Sequence, residues 1–301
     1  MTRKALQFRV EYALARLALA LFRALGPVRA SNFTGWLFRS VGPLLPVSRV
    51  AHTNLQLTMP ELDLAARRRI VRGVWENAGR TLGEFPHLGR LPEHAVTGPG
   101  WFIENVERID ALAQQGGPAI LFSGHFGNWE MMPAACAKHG VVIASFYRAP
   151  DNPAVDQMIG ALRAEATSAA KLFPKGATGA KQALVHLARG GFLGILVDQK
   201  MNDGVQASLF GRPAMTAPAL AAFALRLKCP VIPGYVMRTG PARFHLVAEA
   251  PLILPDTGDR EADILTLTQM VNDRLEAWIR ARPESWLWLH RRFDKALYRR
   301  G

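Results

Sequence analysis

From about residue 100 onward, short apolar runs alternate with helical patterns, and that alternation limits the folds open to this chain. AILFS (119 to 123) precedes a helix expected from about Asn128 to His139. VVIASFY (141 to 147) precedes one opening at Asp151-Asn152-Pro153, where a capping side chain stands before a proline at the first helical position. FLGILVDQ (192 to 199) is followed by a long Gly-containing loop running to about Pro218. The helix ALAAFALRLK, the strands VIPGYVM and RFHLVAEA, and a last helix from about Arg260 complete the pattern. Parallel strands need crossover connections, and helices supply them on both faces of a sheet. The expected fold is α/β, with a central mostly parallel or mixed sheet flanked by helices.

The 301 residues are 49% hydrophobic and 20% charged, enough apolar material for a substantial core. Cys136 and Cys229 are far apart in apolar stretches with no CxxC, which argues against a disulfide framework or a zinc site. The net charge of +13 calls for an anionic partner: nucleic acid, lipid headgroups or an acidic protein. A Lys/Arg stripe interleaved with stacking aromatics, or a helix-turn-helix, would mark nucleic acid, and neither is found.

Residues 1–50 read as an N-terminal helical segment and 51–301 as the α/β domain. Arg9, Arg16 and Arg23 share one helical face, while Leu14, Leu17, Leu21 and Leu25 occupy others. Within residues 9 to 28 the longest charge-free run, LALALF (17 to 22), is far short of the ~20 residues a spanning helix needs. The expectation is an interfacial, membrane-associating helix whose arginines reach anionic headgroups, extended by SNFTGWLFRSVGPLLPV. An ordinary amphipathic helix capping the core would carry much the same pattern.

The chemistry-bearing stretch is SGHFGNWE (123 to 130). Five residues apart on a regular helix, His125 and Glu130 would not share a face. They can converge if the histidine lies in a strand-to-helix turn and the glutamate in the first helical turn, with Gly124 and Gly127 supplying a permissive backbone. Open α/β sheets place ligands at such strand ends. A carboxylate on one imidazole nitrogen fixes the tautomer and leaves the other nitrogen as a general base. A loop histidine bonding its neighbours is the bland alternative. GxSxG is absent, so the base would act on a hydroxyl of the substrate. Asp198 ends a buried run, where a charge is costly unless partnered, although it could simply cap the next turn. Arg163 lies on a helix beside Met158, Ile159 and Leu162. The segment from Lys175 to Lys181 lacks the GxxxxGK[ST] spacing of a phosphate loop, and the remaining histidines lack metal-ligand spacing; no metal or cofactor is expected.

HFGNWE has the H-x4-E form of the lysophospholipid acyltransferase superfamily. The chain resembles its bacterial lipid A late-acyltransferase (lauroyl/myristoyl) branch, through NAGRTLGEF (77 to 85), YRAPDNPAVDQMIGALR (147 to 163), VDQ (197 to 199) and PESWLWLHRRF (283 to 293). The resemblance implies a glycerol-3-phosphate acyltransferase-like fold at the cytoplasmic face of the inner membrane, among anionic lipids. It implies acyl transfer from acyl carrier protein to a hydroxyl of a lipid A precursor. Another glycolipid or aminolipid acceptor, acyl-CoA as donor, and thioester hydrolysis are the rival activities. By position, His125 corresponds to the catalytic histidine and Glu130 to the partner that orients it. Arg163 corresponds to an essential arginine that holds a lipid phosphate or the developing oxyanion. Asp198 corresponds to a strand-end acid that positions that arginine or nearby backbone.

Overall fold

The computed structural model describes residues 2–94, 97–168 and 170–298. Three helices lead: α1 (Arg3–Val41), α2 (Ser48–Thr58) and α3 (Leu64–Glu84), the last begun by Asp63, whose carboxylate accepts from Ala66 N. Then follow β1 (Gly100–Glu104), α4 (Val106–Gln115), β2 (Ala119–Ser123), α5 (Met131–Lys138), β3 (Ile143–Tyr147) and α6 (Pro153–Thr167). As its sequence suggests, α6 is capped by the Asn152 side chain, which accepts from Ala154 N and Val155 N. The chain continues through β4 (Leu172–Pro174), α7 (Ala177–Ala188), β5 (Phe192–Leu196), β6 (Val205–Leu209), β7 (Arg212–Thr216), α8 (Ala219–Leu227), β8 (Val231–Gly240), β9 (Arg243–Ala248) and α9 (Arg260–Ala281).

Seven strands form one mixed sheet in the order β1-β9-β8-β2-β5-β3-β4, with only the β8–β9 pair antiparallel. Strand β2 lies near the middle and is buried along its whole length. Successive side chains of a strand face opposite ways. Accordingly Ile120 and Phe122 enter one apolar cluster, with Trp278 and Leu275 of α9, and Ala119 and Leu121 enter the other, with Met131 and Cys136 of α5. The stretch expected to be loop before Pro218 holds an antiparallel hairpin, β6–β7. Its two-residue turn has positive φ at both Phe210 (54°) and Gly211 (66°), a geometry that Asn-Gly usually signals and Phe-Gly hides.

The N-terminal expectation needs correction. No helix among the described residues is long and apolar enough to cross a membrane. The expectation of N-terminal membrane-associating helices and of an inner-membrane placement is corrected by that finding: no membrane-crossing segment stands behind either among the described residues. Charges recur throughout α1, and its helical geometry breaks at Gly26 (φ 71°), just before Pro27. Both halves are fastened to the body. Asn152 Nδ2 donates to Phe8 O at 2.8 Å and His87 Nε2 to Phe22 O at 3.0 Å. Beyond the break, Ala30 and Thr34 pack so closely on α3 that a Cβ on Gly83 would meet Thr34 Oγ1 at 2.4 Å and Ala30 O at 2.6 Å. Small residues allow that approach, and α1 becomes one wall of the α/β body.

Candidate active site

His125 sits in the turn between the C-terminal end of β2 and the start of α5. Parallel pairing of β2 with β5 sets Ser123 beside Leu196, so the residues two positions beyond each, His125 and Asp198, leave the sheet side by side. Their side chains join: His125 Nδ1 donates to Asp198 Oδ1 at 2.8 Å. The other carboxylate oxygen accepts from the His125 main-chain N at 2.7 Å and from Trp286 Nε1 at 2.8 Å. Asp198 is wholly buried, and such a carboxylate persists only when donors surround it. Burial alone would raise its pKa, but the imidazole and the surrounding donors prevail and hold it well below the usual carboxylate range. For His125, burial disfavours the charged ring, but Asp198 outweighs it and raises the pKa above the ordinary value. A proton on Nδ1 leaves Nε2 of the neutral ring as an acceptor.

The expected partners are therefore exchanged: the carboxylate on the imidazole is Asp198, and Glu130 belongs to Arg163. Arg163 Nε donates to Glu130 Oε2 at 3.0 Å and Nη2 to Oε1 at 2.6 Å, a two-pronged pair between the start of α5 and α6. The guanidinium carbon lies 4.6 Å from the Tyr147 ring centroid, and Nη1 has no hydrogen-bond partner. Burial opposes the charge on Arg163, but Glu130 prevails and its pKa is raised. His125 and the Arg163–Glu130 pair border one pocket of about 500 Å³, with Asp198 buried behind the imidazole. Its polar lip carries His125, Glu130, Arg163 and Lys175, while Leu88, Leu121, Met132 and Ile143 make its depth apolar. Such a pocket suits an apolar chain ending in a polar reacting group.

Several residues that hold the site were not singled out in the sequence. The segment from Pro283 to Phe293 straps over the histidine turn: Leu287 N donates to His125 O at 3.0 Å and Gly127 N to Ser285 O at 2.9 Å. His290 Nε2 donates to the Asp198 carbonyl at 3.0 Å, and burial lowers its pKa, keeping the ring neutral. From α3, Asn77 Nδ2 donates to Gly127 O at 2.9 Å. The signal was present: these residues lie within PESWLWLHRRF and NAGRTLGEF, the stretches that carried the resemblance.

A mixed α/β sheet with a histidine–carboxylate pair at a strand end, opening on an apolar pocket, is consistent with the acyltransferase superfamily. The family model described as bacterial lipid A biosynthesis acyltransferase matches residues 3–295, and the chain belongs to that family. No curated protein matches the chain at a significant level.

Proposed function

We propose that the protein moves a fatty acyl group from an acyl carrier protein thioester to a hydroxyl of a lipid A precursor, with His125 as general base. The observation that carries this reading is His125, paired with buried Asp198, lining a pocket that is largely apolar. His125 Nε2 takes the proton of the acceptor hydroxyl as that oxygen attacks the thioester carbonyl. Asp198 holds the ring and stabilises the imidazolium. The tetrahedral intermediate collapses with cleavage of the C–S bond, and the imidazolium returns the proton to the departing thiolate. The acyl chain occupies the apolar depth. Arg163, set in place by Glu130, faces an anionic atom of the substrate, either the developing oxyanion or a lipid phosphate. The basic chain, at +13, favours association with an acidic carrier.

The test is transfer by purified protein from an acyl carrier protein thioester to a lipid A precursor, followed by mass spectrometry. His125→Ala should lower kcat by roughly 10²–10⁴-fold, the usual contribution of a positioned general base. Free fatty acid without acylated lipid, or a His125→Ala rate near wild type, would remove the proposal. Activity requires the neutral ring, so kcat/KM should fall as pH drops through the pKa of His125. Because that pKa is raised, the acid limb should lie above 6.5. A limb at or below that value would show that Asp198 does not support the imidazolium during turnover.

A further inference from the structure

Glu84 is a wholly buried carboxylate that the acyl-transfer chemistry does not use. Its Oε1 accepts from Ser31 Oγ of α1 at 2.7 Å and from Ala242 N at 3.0 Å; its Oε2 accepts from Asn128 Nδ2 at 2.9 Å and Arg238 Nη1 at 3.0 Å. Arg238 Nη2 in turn donates to Thr81 Oγ1 at 3.0 Å. Thr81 Oγ1 and Asn77 Nδ2 both donate to Gly127 O, at 3.3 and 2.9 Å. Burying two charges is expensive, and an apolar pair of similar volume often serves stability as well or better. Contacts of this group reach Gly127 and Asn128, which lie in the segment between His125 and Glu130 at the entry to α5.

We propose that Glu84, with Arg238, Asn77 and Thr81, is a positioning group for catalysis that holds the His125 turn through Gly127 and Asn128. Three sets of contacts then hold the turn. Asp198 holds the imidazole and the His125 main-chain N, the Pro283–Phe293 strap holds His125 O and Gly127 N, and the Glu84 group holds Gly127 O and the Asn128 side chain. Without the last, the chain just beyond the histidine loses its hold on Gly127 O and the ring can shift from the reacting oxygen. Through Ser31, the same carboxylate joins the seating of α1 to that turn.

The inference rests on His125 being the base, and the experiment separates the two. Asn77→Ala removes one donor to Gly127 O without touching a buried charge; Thr81→Val removes the other and also an acceptor of Arg238 Nη2, while Arg238 keeps its pairing with Glu84. Each should lower kcat by about tenfold, since misplacement by an ångström is worth up to ~10²-fold, with KM changed less than about twofold. Thr81→Ser keeps the donor and should restore most of the rate. The charged groups facing His125 are Asp198, Glu130 and Lys175, with His290 beside it. Neither variant alters them, so any movement of the acid limb reports a shifted ring. Loosening the contact with Asp198 should move that limb downward. In an Asp198→Asn background, Asn77→Ala should cost much less than it does alone, because both act through the same ring. Glu84→Gln should combine the kinetic loss with a lower melting temperature. Unchanged kcat in the two donor variants, or a loss that tracks melting temperature and adds in full to Asp198→Asn, would overturn the positioning role. A normal rate in His125→Ala would instead overturn the general-base reading beneath it.

Discussion

Asp198→Asn is expected to lower kcat by about 10³–10⁴-fold with little change in KM, the scale seen when a triad aspartate is amidated. The shape survives, but the hydrogen-bond logic does not. Three donors converge on the two oxygens of Asp198: the His125 ring, the His125 main-chain N and the Trp286 indole. An asparagine offers one oxygen and one NH₂. With its oxygen toward the backbone and indole, the NH₂ meets Nδ1, which must become an acceptor. The ring proton then moves to Nε2, the atom required as base. Glu130→Gln should cost less, about tenfold, because it weakens the hold on Arg163 and leaves the imidazole tautomer untouched. Single-turnover rates for the two variants decide the matter. A larger loss in Glu130→Gln would restore Glu130 as the principal partner of catalysis.

The second large effect is on stability. Gly127 has φ 57°, and a Cβ added there would lie 1.9 Å from Val236 O, a main-chain atom of the central strand β8. Gly127→Ala therefore combines the cost of a left-handed alanine with displacement of backbone that has no rotamer to yield. A loss of about 3–4 kcal/mol is expected, toward the upper end for single substitutions. Gly160→Ala is the control, because a Cβ on that α6 residue meets nothing within 4 Å. It should be neutral or slightly stabilising, since alanine favours helix over glycine. Urea midpoints measure both, and a Gly127→Ala midpoint near wild type would show that the turn relaxes freely.

Much of the site was legible in one dimension. A five-residue apolar run followed by a glycine-flanked histidine already places His125 at the mouth of a buried strand, because strand burial and turn chemistry are local properties. Arg163 on α6 was visible for a similar reason: Asn152-Pro153 announces the helix that carries it. The hairpin at Phe210-Gly211 was missed because its turn uses an atypical first residue. The sequence left α1 open between a lipid-facing helix and one capping the core, because its pattern suits both. The close approach of Gly79 and Gly83 and the contacts of Phe8 O and Phe22 O show that it packs on the body through its small residues, while Leu14, Leu17 and Leu21 stay exposed.

The sequence by itself determined which residue types stand at the ends of strands and the beginnings of helices: a histidine after β2, an acid after β5, a glutamate leading into α5, an arginine within α6. Tertiary structure alone decided who partners whom. Glu130 is five residues from His125 and Asp198 is seventy-three, yet the distant carboxylate binds the ring. The reason is register: β2 and β5 are parallel neighbours paired Ser123 to Leu196, so equal steps beyond that pair bring His125 and Asp198 together. Glu130 has by then turned into the base of α5, where the packing of α6 presents Arg163. Strand order is set by burying both faces of the whole sheet, a property of the folded chain that no local spacing encodes.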